Sequence, residues 1–545
     1  MLLRKYLSSR NTTYILLLGW VISIVYAYFF IPPRDDDGIY LLPALSVANG
    51  FPPGFFIEGE LIPVFFIFPF QAFLNGLFLS FLEPDLYNYR LLNLSLILPL
   101  LILTGSLIKI LFKDLDATCL PFNLFLVLLA ASPFSTNFYV NRPDILGLVF
   151  FIAGLVIIIR NIQISTPKLK STMVSFLFFG LACVSHPAFI ILGLPLVFYF
   201  IYKLLITNLS IWYLLTYFFS FIFPLLVFLL WFYVNLDISF PQLFNRTSGI
   251  ANSSNTPLME GIILLFKKSF FISDKDILYK FYDSFFSLPF FFSLLLVLWN
   301  IRLNSIFFKN FILIVLYIGC ILIVMTQPFP GPMMIASYLM MILLSAFLIH
   351  FFRVNQLTKL VIKNKLFNYL LLFILIIAPI TPVFVHASKV QITNENYFDS
   401  KKTSEIVIDS LLKEEMLIIT TPQLIPTFTT YINDTVKGNY NDKFNWLFPG
   451  GQTEKPPSKL ESLYKRQLES VIQSSQSNSI WGLSKESIVF VSGKEICFTL
   501  RGQLASIKLY NVKRVHEDRD NIFLRPENFS AHEITSNCSE EITLL

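Results

Sequence analysis

Apolar residues run through the first 386 positions of the 545-residue chain in repeated blocks separated by short polar turns. Each block is about 20 residues long, the length a helix needs to cross roughly 30 Å of hydrocarbon. The pattern predicts eleven spanning helices, at 13–31, 91–111, 121–140, 144–160, 172–185, 187–205, 211–234, 284–301, 310–326, 332–352 and 366–386. A further apolar stretch at 55–82 is interrupted by Pro63 and Pro69. It is read as lying in the membrane interface, because counting it as a span reverses the charge bias of every later loop. The first block is long and no small-residue cleavage site follows it, so it is expected to stay as the first span.

After Val385 the apolar blocks give way to mixed polar sequence, dividing the chain into a membrane part, 1–386, and a second domain, 387–545. Within the second, Met416–Thr420 and Ser487–Ser492 read as buried strands and Pro422–Tyr431 as a helix, which predicts a small α/β domain. Gly438–Ser458, rich in Gly, Pro and Asn, reads as a long loop. The predicted fold class is therefore a polytopic α-helical membrane protein with a small C-terminal α/β domain.

Composition agrees: 55% hydrophobic, 14% charged and a mean hydropathy of +0.66 exclude a soluble multidomain chain. The net charge of +6 comes from the membrane part, which holds 23 Lys/Arg against 15 Asp/Glu, while 387–545 holds 18 against 20. With the amino terminus inside, fifteen of those 23 basic residues fall in short cytoplasmic loops and only Asp114 and Asp116 among the acids join them. The positive-inside rule then puts 32–90 and 235–283 in outer loops and the C-terminal domain outside the cytoplasm. A nucleic-acid partner has no support, since the basic excess reports topology.

In an oxidising outer compartment Cys497 and Cys538, the two cysteines of the second domain, have the chance to pair, although sequence does not show that they come within reach. Cys119, Cys183 and Cys320 lie in or beside spans and are expected as isolated thiols.

The predicted spans are nearly free of ionisable groups in their cores, which weighs against an ion-coupled transporter. Charge gathers just after the first span, in Pro33-Arg34-Asp35-Asp36-Asp37-Gly38-Ile39-Tyr40. Three adjacent carboxylates repel one another and resist desolvation beside a bilayer unless a cation or a reaction uses them. Read as a short extended turn, the triplet sends neighbouring side chains in different directions. A solvated stop after a helix is the plainer role for the same residues. No Walker loop, dinucleotide fingerprint or metalloprotease helix occurs in the sequence.

The order of the first span, Asp36-Asp37-Gly38-Ile39-Tyr40, an interfacial segment, Arg90 opening the second span, then Asn141-Arg142-Pro143-Asp144 and Ser185-His186-Pro187 resembles the GT-C membrane glycosyltransferases. More narrowly, it is similar to bacterial family-39 relatives of protein O-mannosyltransferases and lipid A aminoarabinose transferases. In that family an acidic pair, usually Asp-Glu with a Tyr three residues after the Glu, sits in the first outer loop. Here Asp37 stands in place of the Glu, keeping the charge with a shorter reach. The resemblance covers most of 1–200 and, more loosely, the whole architecture.

The resemblance implies a bacterial plasma-membrane enzyme that moves a sugar from a polyprenyl-phosphate donor to a lipid, glycan or protein acceptor with inversion. It implies Asp36 as catalytic base, with Asp37 positioning the acceptor or a metal and Asp35 and Tyr40 beside them. A carboxylate within hydrogen-bond reach deprotonates the attacking hydroxyl. The departing lipid phosphate needs charge stabilisation, and the planar fork of Arg suits two phosphate oxygens. Arg142, Arg90 and Arg246 are the candidates, with Asp144 orienting Arg142 and His186 a further substrate ligand. Anchoring roles at the headgroups stay open for Arg142 and Arg90, and a structural role for His186. Lys267 and Lys268, in a segment of Leu and Phe, read best as loop anchors. Three aspartates offer oxygen ligands to a divalent metal, but carboxylates alone do not specify one. A lipid or polysaccharide transporter without glycosyl transfer is the alternative.

Overall fold

The computed structural model describes residues 10–30, 35–57, 60–63, 69–82, 88–112, 119–131, 138–162, 169–186, 188–206, 211–235 and 334–345, helical positions at 315–316, 318–320 and 322–323, and nine strands after 416. Two compact units divide the chain, one of Met1–Phe29, Asn93–Leu230 and Ser254–His386, the other of Phe30–Leu92, Trp231–Ser253 and Ala387–Leu545.

In the first unit, helix α1 (Arg10–Phe30) turns Leu16, Trp20, Ser23 and Ala27 inward and leaves Tyr14, Leu18, Ile22, Val25 and Phe29 exposed. Both sets recur at helical spacing, so one apolar face meets protein and the opposite apolar face suits lipid. Helices α4 (Leu91–Leu111), α5 (Leu120–Ala131), α6 (Pro143–Ile162), α7 (Leu169–Ser185), α8 (Ala188–Ile206), α9 (Ile211–Val234) and α10 (Met334–Ser345) follow. Among the described residues, four helices are long and apolar enough to cross a membrane: α1, α4 with the turn before it, α6 and α9. The chain is a helical membrane protein.

The first seven expected spans fall on α1 and α4 to α9, and α10 lies inside the expected 332–352. Those at 284–301 and 366–386 lie outside the described residues. One expectation needs correction: the helix predicted over 121–140 is described only to Ala131, and residues 138–139 form a 3-10 turn.

Helices α6 and α7 pack tightly. Ser175 Oγ donates to the Gly154 carbonyl at 2.7 Å, and a Cβ added at Gly154 would crowd Phe179. Phe151 contacts the rings of Phe179 and Phe189 at 5.8 and 5.4 Å, tying α6 to α7 and α8. The hydroxyls of Thr104 and Tyr338 lie 2.7 Å apart, joining α4 to α10, and Tyr338 meets Phe125 and Phe138 edge-on.

The second unit corrects the reading of the acidic triplet. Asp35, Asp36 and Asp37 do not form an extended turn; they open helix α2 (Asp35–Ala48). Acidic residues are favoured in the first turn of a helix, whose dipole presents its positive end there, which makes this favourable backbone for three acids. The helix ends at Gly50, whose φ of 87° is left-handed. Gly50 N–H donates to Val47 O at 2.9 Å and Phe51 N–H to Ser46 O at 3.0 Å, the two bonds of a Schellman cap.

The interrupted stretch 55–82 holds the hairpin β1 (Gly54–Ile57) and β2 (Glu60–Pro63), then α3 (Pro69–Phe81). At about 20 Å, α3 is too short to span the bilayer. It packs on α2 through Gly76, where an added Cβ would overlap Val47 and the Ala44 carbonyl.

After 416 the described elements are strands: β3 (Leu417–Thr420), β4 (Phe444–Trp446), β5 (Ser479–Ser484), β6 (Ile488–Ser492), β7 (Glu495–Thr499), β8 (Ser506–Leu509), β9 (Val512–Glu517), β10 (Asn521–Pro526) and β11 (His532–Thr535). They form a five-stranded sheet ordered β4-β3-β5-β10-β9 and a four-stranded sheet ordered β11-β8-β7-β6. Strand β3 is parallel to both β4 and β5, and parallel neighbours need crossover connections. The expected helix Pro422–Tyr431 falls in one such connection, outside the described residues. Strand β4 corrects the reading of Gly438–Ser458 as loop throughout; Phe444 and Trp446, aromatic and strand-favouring, flank its centre. Cys497 lies in β7, and Cys538 lies outside the described residues. Cys119, Cys183 and Cys320 are free thiols.

Candidate functional site

Three of the expected site residues meet in the first unit. Arg142 precedes Pro143, the first residue of α6, and Asp144 follows it in the opening turn. Proline at this position is pre-set for helix and its missing N–H costs nothing there. Arg142 Nε donates to Asp144 Oδ2 at 2.8 Å. The Asp144 side chain is 0% exposed and that of Arg142 13%, so the pair sits in low dielectric where a charge-assisted bond is strong.

The second oxygen, Asp144 Oδ1, accepts no hydrogen bond among the described residues and lies 3.5 Å from His186 Nε2, a separation that gives electrostatic contact only. His186 stands between α7 and α8, and its Nδ1 accepts the Ala188 N–H at 3.1 Å. That bond caps the start of α8 and keeps the lone pair on Nδ1, so the proton of the neutral ring sits on Nε2, facing the carboxylate. His186 thus caps α8 beside Asp144.

A residue that sequence reasoning passed over holds the loop. Asn93, wholly buried near the start of α4, donates through Nδ2 to the carbonyls of Val140 at 3.0 Å and Arg142 at 2.8 Å. The available signal is an amide in an otherwise apolar helix, Leu91-Leu92-Asn93-Leu94, where a polar group survives burial only with partners.

In the second unit Asp37 and Tyr40 are buried one helical turn apart on α2. The backbone of Asp35 and Asp36 is in the same first turn, and their side chains are outside the described set. Arg90 is buried at the end of a 3-10 turn, Asn88–Arg90, with its guanidinium 4.6 Å from the centre of the Tyr89 ring. A cation over a ring face at this distance is attracted by the ring quadrupole. Asn75 on α3 donates to the Tyr89 carbonyl at 3.3 Å and steadies that turn. Arg246, Lys267 and Lys268 lie outside the described residues. Among the described residues no group of three or more His, Cys, Asp or Glu is arranged to hold a metal ion.

Two solved structures share this architecture. ArnT from Cupriavidus metallidurans in the apo state superposes with a TM-score of 0.51 at 11% identity, over 94% of this chain and 97% of that one. The same protein bound to undecaprenyl phosphate gives 0.50 at 11% identity and the same coverage. ArnT is a lipid A aminoarabinose transferase, and this chain has its GT-C fold. No family model matches the chain, and no curated protein does.

Proposed function

We propose that the chain is an integral membrane glycosyltransferase that moves a sugar from a polyprenyl-phosphate donor to a lipid, glycan or protein acceptor at the outer face of a bacterial plasma membrane, with inversion. In this reading about eleven spans carry the catalytic part, and the region from 387 onward is an extracytoplasmic domain. The observation that carries it is the buried Arg142–Asp144 pair at the head of α6, in a chain whose fold is that of a protein solved with undecaprenyl phosphate bound.

Arg142 serves as the phosphate ligand. Its fork is held at Nε by a carboxylate with no solvent exposure, so its orientation is set before the donor arrives. A lipid phosphate leaves once its charge is stabilised, and a positioned guanidinium supplies that without proton transfer. Arg90, held over Tyr89, and Arg246 are further phosphate contacts, with Asp144 and His186 supporting Arg142. Asp36 is the base for the acceptor hydroxyl, and Asp37 and Tyr40 position the acceptor, with Asp35 next to them. The proton leaves the acceptor oxygen as that oxygen attacks the anomeric carbon. The carbon–oxygen bond to phosphate breaks, and the phosphate keeps the electron pair.

The test is purified protein in proteoliposomes with a polyprenyl-phosphate sugar labelled in the sugar. Transfer or donor hydrolysis supports the enzyme. Vectorial movement of intact donor marks the transporter instead.

A further inference from the structure

We infer that Asn93 is a positioning residue for Arg142, and this rests on the reading of Arg142 as the donor-phosphate ligand. Residues 140–142 lie between a 3-10 turn and α6, and a carbonyl keeps a second lone pair for a side-chain donor even where, as at Arg142 just before the first helical residue, it also accepts from the first turn of the helix. One amide reaches two of these carbonyls: Asn93 Nδ2 donates to Val140 O at 3.0 Å and to Arg142 O at 2.8 Å, across 47 and 49 residues of sequence.

The geometry makes the clamp specific to Arg142. The direction of its side chain follows from the backbone at 142, and the carbonyl that Asn93 holds belongs to that residue. Asp144 then fixes the far end of the same side chain through Nε at 2.8 Å. Arg142 is therefore held at both its backbone and its guanidinium, by groups with no solvent exposure. The donor chemistry matters more than the size of the side chain. An NH₂ group offers two protons to two carbonyls, whereas the isosteric carboxylate of Asn93→Asp offers only lone pairs and repels both. Loss of the clamp shifts the loop, and displacement of a substrate-positioning group by about 1 Å costs about 10²-fold.

Undecaprenyl phosphate binding to purified protein in nanodiscs tests this, measured for wild type, Asn93→Asp, Arg142→Ala and the double variant, with melting temperatures recorded alongside. Asn93→Asp is expected to weaken binding by about 10- to 100-fold. Adding it to Arg142→Ala is expected to cost less than about twofold more, because contacts that act through one group are not additive. Should Asn93→Asp fail to accumulate, Asn93→Ser, neutral and with one donor, enters the same cycle with the same expectation. Additive losses in the cycle, or wild-type binding by the Asn93 variant, overturn the positioning role. Failure of wild type itself to bind undecaprenyl phosphate overturns the reading of Arg142 beneath it.

Discussion

Arg142 Nε and Asp144 Oδ2 lie 2.8 Å apart across Pro143, with the carboxylate wholly buried and the guanidinium nearly so. The pair converts a flexible side chain at the start of α6 into a fixed planar donor. Its sequence spacing, one proline between two charges at a helix start, brings the two side chains within reach of each other locally.

Arg142→Lys is expected to lower kcat/KM for the donor by about 10-fold or more despite the retained charge. An ammonium cannot hold Asp144 and two phosphate oxygens in one plane. Steady-state kinetics at matched protein levels checks it, and unchanged donor use leaves Arg142 with a headgroup-anchoring role.

Asp144→Asn keeps the shape and removes the charge, leaving Arg142 poorly compensated in a buried site. Breaking such a pair costs on the order of 3 kcal/mol, seen as a lower unfolding midpoint in detergent. Replacing both Arg142 and Asp144 with Leu is expected to restore most of that stability while abolishing donor binding. Chemical unfolding of wild type and the two variants decides it.

Gly180→Ala places a methyl against the backbone carbonyl of Phe221 on α9, a neighbour that cannot swing away. Overpacking of this kind costs about 1–3 kcal/mol. Gly193→Ala is the control, since its methyl meets only Cys183 Sγ at 3.4 Å, and it is expected to be neutral. Thermal melting of the two variants in one detergent separates them.

The C-terminal domain is expected outside the cytoplasm, because the charge bias requires an odd number of spans. A reporter fused after Val390 is expected to be active only when it matures outside. Activity of a cytoplasmic reporter at that point overturns the placement of every outer motif.

Much of the bundle was legible in the amino-acid sequence because lipid imposes a single strong rule. Blocks such as 91–111 and 211–234 match α4 and α9 at both ends, since a spanning helix satisfies every backbone group within itself. The Arg142–Asp144 contact was legible too, being local. Helix α2 was not, because carboxylates read as a solvated stop also suit the first turn of a helix, and pattern alone does not choose. The role of Asn93 depends on carbonyls 47 and 49 residues away, which spacing along one chain does not disclose.

The most direct test of the proposed glycosyl transfer uses a polyprenyl-phosphate sugar labelled separately in the sugar and in the phosphate, given to proteoliposomes of wild type, Asp36→Asn, Asp37→Asn and Asp35→Asn in a single turnover. Wild type is expected to part the two labels. Asp36→Asn is expected to bind the donor yet slow the separation by about 10²- to 10⁴-fold, the usual range for loss of a general base, with Asp35→Asn milder. Equal loss for Asp37→Asn and Asp36→Asn, reproduced by chelation, assigns the two carboxylates to a shared metal instead. Two labels that cross the bilayer together, with the sugar–phosphate bond intact in wild type, contradict glycosyl transfer altogether.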